Sequence, residues 1–219
     1  TQIPGTPIAY WIGAGAYGAF KNGISLADVA KTRKGMFTGN NDRFLRFWHE
    51  VSSGPIGADY KFYSKGGSFR RWYGNRDYVV RWGNDGEEIK AYPGSGNINE
   101  DDYFKPCLCW SLITSGDISF RSLNSTEFVV GDAGPACYPL YGSSRYLLGL
   151  LNSSPIRFLS KAINPTLNWS AGVVGSFPVL QCETALEEVD MLVDELQFHS
   201  KLDWDSFETS WDFTRHPLL

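Results

Sequence analysis

The densest chemical signal in the chain lies between residues 61 and 81, where Lys61, Lys65, Arg70, Arg71, Arg76 and Arg81 stand against a single acid, Asp77. Phe62, Tyr63, Phe69, Trp72, Tyr73 and Tyr78 are interleaved with them. Cationic heads neutralise phosphates and rings stack on flat groups, so the mixture suits a polyanion. A plainer reading stays open, in which two twisted strands merely expose basic faces.

Other constellations are weaker. Gly13, Gly15 and Gly18 keep the spacing of a dinucleotide loop, yet only a short apolar stretch precedes them and no βαβ unit with an acidic ribose ligand follows, so a flexible turn is expected. Asp203, Asp205 and Glu208 begin like a calcium loop, but Glu208 occupies the position that must be Gly. Glu87-Glu88 and Glu100-Asp101-Asp102 could supply the two carboxylates of a glycosidase, although adjacent acids on loop-like sequence are usually solvated. His49, His199 and His216 are scattered without metal-ligand spacing, and no Gly-x-Ser-x-Gly elbow exists. Cys107, Cys109, Cys137 and Cys182 form no Cys-x-x-Cys pair and read as free thiols of a reducing cytoplasm. Sequons at Asn124, Asn152 and Asn168 are the contrary hint of secretion.

The elements that must position these groups follow from composition and pattern. A chain of 219 residues, 42% hydrophobic and 20% charged, can bury a core without staples. Its 33 aromatics favour strands. The net charge of −4 hides an asymmetry: residues 1–90 hold 13 Lys/Arg and 8 Asp/Glu, residues 91–219 hold 7 and 16. No apolar stretch approaches the length of a membrane span, and the densest piece, Tyr146 to Leu151, is six residues. The chain opens on Thr1 with no leader, which is the expectation for an excised segment.

Strands are expected at Tyr60–Ser64, Asp77–Trp82, Cys107–Ile113, Ile118–Arg121, Phe128–Val130 and Val173–Pro178. The leucine-rich run from Tyr146 to Leu151 and the segment Ile156–Ile163 are expected as helices separated by Pro155. A third helix should start at a Thr184/Glu187 capping box, carry Leu186, Val189, Val193 and Leu196 on one face, and end near His199. Phe44–Val51 fits either period, and strand is preferred for its aromatic content.

Several strings then converge. Ile3–Trp11, Gly35–Arg46 with Trp48–Val51, Lys65–Asn75, Tyr78–Gly86, Leu147–Ser153, Asn164–Asn168 and Asp203–Phe213 together resemble the C-terminal half of the PglX methyltransferases of bacterial BREX phage-defence systems. The resemblance covers nearly the whole chain. It implies an α+β fold with a mixed, curved β-sheet and a few packed helices, similar to the TaqI-like specificity domain of restriction-modification adenine methyltransferases. It further implies a division of labour, in which an N-terminal half binds S-adenosylmethionine and methylates adenine N6 while this half recognises the DNA target. The 11 prolines include no Pro-Pro pair, so the Asn/Asp-Pro-Pro-aromatic motif of that chemistry is absent here. The expected organisation is a target-recognition domain over 1–199 and a tail, 200–219, leading to absent sequence. No cofactor is expected in the fragment itself, which should be inactive alone.

Within that resemblance, residue chemistry assigns the DNA contacts. Lys31, Arg33, Lys34, Arg43 and Arg46 are expected on phosphates, with Thr38, Asn40 and Asn41 donating to phosphate or simply forming a turn. Lys65 belongs to the same basic surface. Arg70, Arg71, Asn75 and Arg76 are the candidate readers of base edges, and Trp72 a candidate wedge. Expected partners are double-stranded DNA, the missing catalytic half and other defence subunits in a bacterial cytoplasm, with no membrane. Two rivals remain: a carbohydrate-binding module using exposed rings, and a protein-interaction platform using the acidic later part.

Overall fold

The computed structural model describes residues 13–52, 54, 56–96, 100–124 and 126–219. The Ile3–Trp11 string, Ser125 of the first sequon and the Glu100 carboxylate lie outside what is described. Helix α1 (Ala14–Asn22) leads to β1 (Ile24–Ser25), α2 (Leu26–Val29) and β2 (Ala30–Arg33). Then come α3 (Asn41–Phe44), β3 (Leu45–Phe47), β4 (Tyr60–Ser64), β5 (Tyr78–Arg81) and α4 (Gly83–Ala91). Strands β6 (Cys107–Trp110), β7 (Phe120–Leu123), β8 (Phe128–Val130) and β9 (Ala136–Pro139) follow, and the chain closes with α5 (Ser144–Leu151), α6 (Ser154–Ile163), α7 (Ala171–Gly175), β10 (Pro178–Val179) and α8 (Leu186–Asp205).

The class is α+β, as expected. The strands divide between a four-stranded sheet in the order β2-β9-β6-β7, a second in the order β3-β5-β4-β8, and a short β1-β10 ribbon. Pairs in the first sheet are antiparallel, whereas β4 and β8 run parallel, which makes the second sheet mixed.

Period-two alternation explains how the layers stack. In β6, Leu108 and Trp110 face a core shared with α5, α6 and α7, while Cys107 and Cys109 face the second sheet, where they meet Phe128 and Val130. Both faces of this strand are therefore buried, and its sequence is apolar throughout. The second sheet turns its opposite face to a third cluster built on Tyr63, Val80, Trp82 and Val129. Helices α5 and α6 begin at Ser143 and Ser153, whose hydroxyls accept from the backbone of Tyr146 and Ile156, and Pro155 sits in the first turn of α6, where its missing N–H costs nothing.

All four cysteines are free, three of them buried between layers. Among the described residues no helix is long and apolar enough to cross a membrane. Asn152 is buried with both amide atoms bonded to the Phe120 backbone, so its sequon is unusable in the folded chain.

Three expectations are corrected. Val173–Pro178 is not one strand: Ser170 caps the short helix α7, and only Pro178–Val179 extends. Phe44–Val51 divides into the end of α3, strand β3 and a 3-10 turn, because Asn40 caps a helical turn just before it. The last helix is preceded by a 3-10 turn at Glu183–Ala185, has no side-chain cap, and runs past His199 to Asp205, where Trp204 is buried.

Candidate nucleic-acid interface

The basic window becomes the β4–β5 connection, from Lys65 to Asp77, and this loop is pinned rather than free. The Trp72 N–H donates to the Phe120 carbonyl (2.9 Å) and the Ser122 N–H to the Trp72 carbonyl (3.1 Å), so the loop pairs in parallel with the outer edge of β7. At its start, Gly67 N–H donates to Ser111 Oγ (3.0 Å), which donates in turn to the Gly67 carbonyl (2.8 Å). The path requires left-handed backbone at Trp72 (φ 71°) and Asn75 (φ 56°). Such residues cost about 1–3 kcal/mol each, which the surrounding bonds must offset. Gly74 (φ 123°) is needed for space as well, because a Cβ there would lie 2.7 Å from Arg70 Cδ and 3.0 Å from the Trp204 ring.

Two arginines support the loop from beneath. Arg121, only 1% exposed, donates to the Arg70 carbonyl (3.2 Å) and Ser111 Oγ (3.5 Å). Arg76 donates to the Ser122 carbonyl (3.2 Å) and lies over the Tyr73 ring at 3.9 Å. Burial pulls the Arg76 guanidinium below its ordinary value, with the nearby Tyr73 opposing that shift. From above, the end of α8 clamps the loop: Arg70 pairs with Asp203 (2.7 Å) and stacks over Trp204 (4.9 Å).

The structure thus separates the sequence-predicted loop residues. Lys65, Arg70 and Arg71 keep half-exposed side chains. Lys65 lies 4.3 Å from the Tyr78 ring centre, and Tyr78 continues into a stack with Phe47 (4.7 Å) and then His49 (5.4 Å). Arg71 lies over Phe69, itself exposed. Asp77 sits among these groups: burial raises its carboxyl above the ordinary carboxylate value, while Arg70 and His49 pull it down. Trp72, Asn75 and Arg76 turn inward. Trp72 packs against the helix-side core, and buried Asn75 donates to the Ser68 carbonyl (2.9 Å).

The remaining predicted residues form a second group along 31–46. Lys31 and Arg33 on β2 both pair with the nearly buried Asp102. Lys34 lies over Phe37 and is exposed. Buried Thr38 donates to Asn41 Oδ1 (2.6 Å), and Asn40 Oδ1 accepts from the Arg43 N–H (3.0 Å), so these three build the α3 cap. Exposed Arg43 donates through Nε and a terminal nitrogen to Glu88 (3.0 and 2.7 Å). Arg46 donates to the carbonyls of Asp42 and Leu45. Sequence reasoning missed Arg121, Asp203 and Trp204 as parts of this assembly. The signal for Arg121 was its place on β7, where alternation sets it on the same inner face as Leu123.

No cofactor cradle arises from the glycine pattern. Gly13 caps α1 and Gly15 and Gly18 lie within that helix, where an added Cβ meets nothing within 4 Å. The expected flexible turn is therefore helical, and these residues do not fit a phosphate-binding loop. Among the described residues no cluster of His, Cys, Asp and Glu has the form of a metal site.

No family model matches the chain. It is 33% identical over 238 residues to the adenine-specific methyltransferase PglX of Lacticaseibacillus casei (strain Zhang), with all of this chain matched to 20% of that protein. It is 35% identical over 230 residues to the adenine-specific methyltransferase BrxX of Escherichia coli O9:H4 (strain HS), again over its whole length and 18% of the relative. The chain thus spans about one fifth of the length of the curated relatives it matches, and corresponds throughout to one segment of PglX-type adenine-specific methyltransferases.

Proposed function

We propose that this chain is the DNA target-recognition domain of a site-specific, S-adenosylmethionine-dependent adenine N6-methyltransferase of the BREX phage-defence type. The observation that carries the reading is the full-length similarity to one segment of two adenine-specific methyltransferases. The loop from Lys65 to Asp77 supports it, because a rigid, strained loop presenting Lys65, Arg70 and Arg71 beside the Phe47–Tyr78 stack suits groove readout. Arg71 and Arg70 are the base-edge candidates in this geometry, and Asn75 and Arg76 serve by holding the loop. Lys34, Arg43 and Arg46 meet phosphates, with Lys31 and Arg33 oriented by Asp102. Cofactor binding and methyl transfer belong to the rest of the parent protein. That remainder packs on the outer face of α8, where Met191, Leu192, Phe198 and Leu202 are exposed.

Sequencing of methylated adenines in cells expressing the parent protein with Arg71→Ala tests the reading. Loss of methylation at the parent's site, with S-adenosylmethionine binding retained, is expected. An unchanged methylation pattern would refute the role of the loop.

A further inference from the structure

Behind the loop lies a cavity of about 180 Å³, lined in part by Tyr73, Arg76 and Trp204. Its walls are aromatic: Tyr73 from the loop, Phe62 and Phe128 from adjacent strands, and Trp204 and Trp211 from the C-terminal segment. That segment returns across the second sheet, Trp211 meeting Trp48 and Phe62 edge-on and Trp48 Nε1 donating to the Thr209 carbonyl (2.9 Å). Arg76 lines the cavity, and its Nε is buried without any acceptor. A buried, unpaired guanidinium N–H costs about 1–3 kcal/mol or more and calls for an acceptor. Opposite in chemistry stand the exposed carboxylate of Glu127, at the cavity and at a smaller adjoining cleft, and Asp212, which accepts from Lys201.

The volume falls below the ~300 Å³ lower end of drug-sized sites, so it admits one small ring system. Glu127 and Asp212 disfavour a free anion. A sugar would bring several hydroxyls to a wall with few unpaired polar atoms. A nucleobase matches each feature, since it has two flat faces for the rings and an edge that carries both acceptors, for Arg76 Nε, and N–H donors, for Glu127. The cavity also opens beside Tyr73, two residues from Arg71. We propose that this cavity holds one unstacked nucleobase of bound DNA, with Arg76 and Glu127 reading its edge. This rests on the DNA-reading role proposed above.

Two measurements on the intact chain test it. Tryptophan fluorescence is titrated with the four uncharged nucleosides, with ribose and maltose as controls. At least one nucleoside should saturate and neither sugar should, and Glu127→Gln should alter the preference among nucleosides about tenfold, since it replaces one of two acceptor oxygens by a donor. No saturable nucleoside binding, or equal binding of a sugar, overturns the proposal. In the second measurement a duplex with one bulged nucleotide is compared with its fully paired counterpart. The bulged duplex should bind about tenfold tighter, the lower part of the range that base–aromatic stacking supplies, and Glu127→Gln should narrow the difference. Equal affinity for both duplexes overturns the base pocket and leaves DNA reading standing. Nucleoside binding without affinity for either duplex overturns the DNA-reading role and leaves the pocket.

Discussion

Replacing Trp204 with alanine removes the anchor that joins the C-terminal segment to the loop. Trp204 is 6% exposed, its ring supports the Arg70 guanidinium at 4.9 Å, and it fills the space beside Gly74. Truncating a buried tryptophan costs about 3–5 kcal/mol, and the lost cation–π contact adds roughly 0.5–1 kcal/mol. The surroundings cannot collapse easily, because Gly74 is fixed in left-handed backbone and the loop is tied to β7. The loss should therefore reach the upper part of that range, about 4–5 kcal/mol, a large share of an ordinary stability of about 5–15 kcal/mol. Urea unfolding reads it directly. With a slope of roughly 2–3 kcal/mol per molar, the midpoint should fall by about 1.5–2 M at unchanged slope. Trp211→Ala, at a residue 38% exposed, should cost clearly less and serves as the comparison. A Trp204→Ala midpoint within about 0.3 M of the parent would show that the segment after α8 is not held by this ring.

Charge and protonation supply further tests. Lys34→Ala should lower the slope of log affinity for duplex DNA against log salt by about 0.9, as loss of one phosphate contact does, whereas an unchanged slope removes Lys34 from phosphate contact. Asn152→Ala strips the Phe120 N–H and carbonyl of a side-chain partner, and should destabilise the chain by about 2–4 kcal/mol in the same urea assay. Burial pushes the Cys137 thiol up to about 12 and raises the Tyr63 phenol beyond its usual 10.0, so the fold keeps both protonated where the unfolded chain releases the protons. The folded state then binds more protons, and stability must fall by about 1.4 kcal/mol per pH unit for each group, beginning past about 9 for Cys137 and past about 10 for Tyr63. Cys137→Ala should flatten that decline, and a stability flat between pH 9 and 11 would contradict it.

The parts of the fold legible in the sequence are those whose local pattern agrees with their surroundings. Tyr60–Ser64 and Phe128–Val130 are strands at the expected limits, and the leucine run after Arg145 and the segment after Pro155 are helices. What was hidden depended on distant partners. Ala30–Arg33 reads as polar, yet it is the edge strand that pairs with Ala136–Pro139, whose own flanking prolines mask it. Valines 173 and 174 favour extension by type, but the Ser170 cap and packing on β2 fold them into a turn of helix. The candidate site shows the same limit. Arg70, Arg71 and Arg76 are chemically identical in the sequence, and only the return of the C-terminal segment and the edge of β7 decide that Arg70 pairs with Asp203 over Trp204 while Arg76 donates to the Ser122 carbonyl.

The pairing of Trp72 with β7 has an effect on how this loop can diversify. An uncovered outer strand offers unsatisfied amides to any neighbouring chain and invites self-association. Here the segment to which we assign target reading also shields that strand, through the Trp72 carbonyl and N–H. Backbone atoms do the shielding, so a side chain such as Arg71 can be exchanged while the register is kept, provided Gly74, Asn75 and Arg76 stay to hold the loop. Insertions or deletions within 66–75 would bare the strand, and altered specificity obtained that way should come with precipitation.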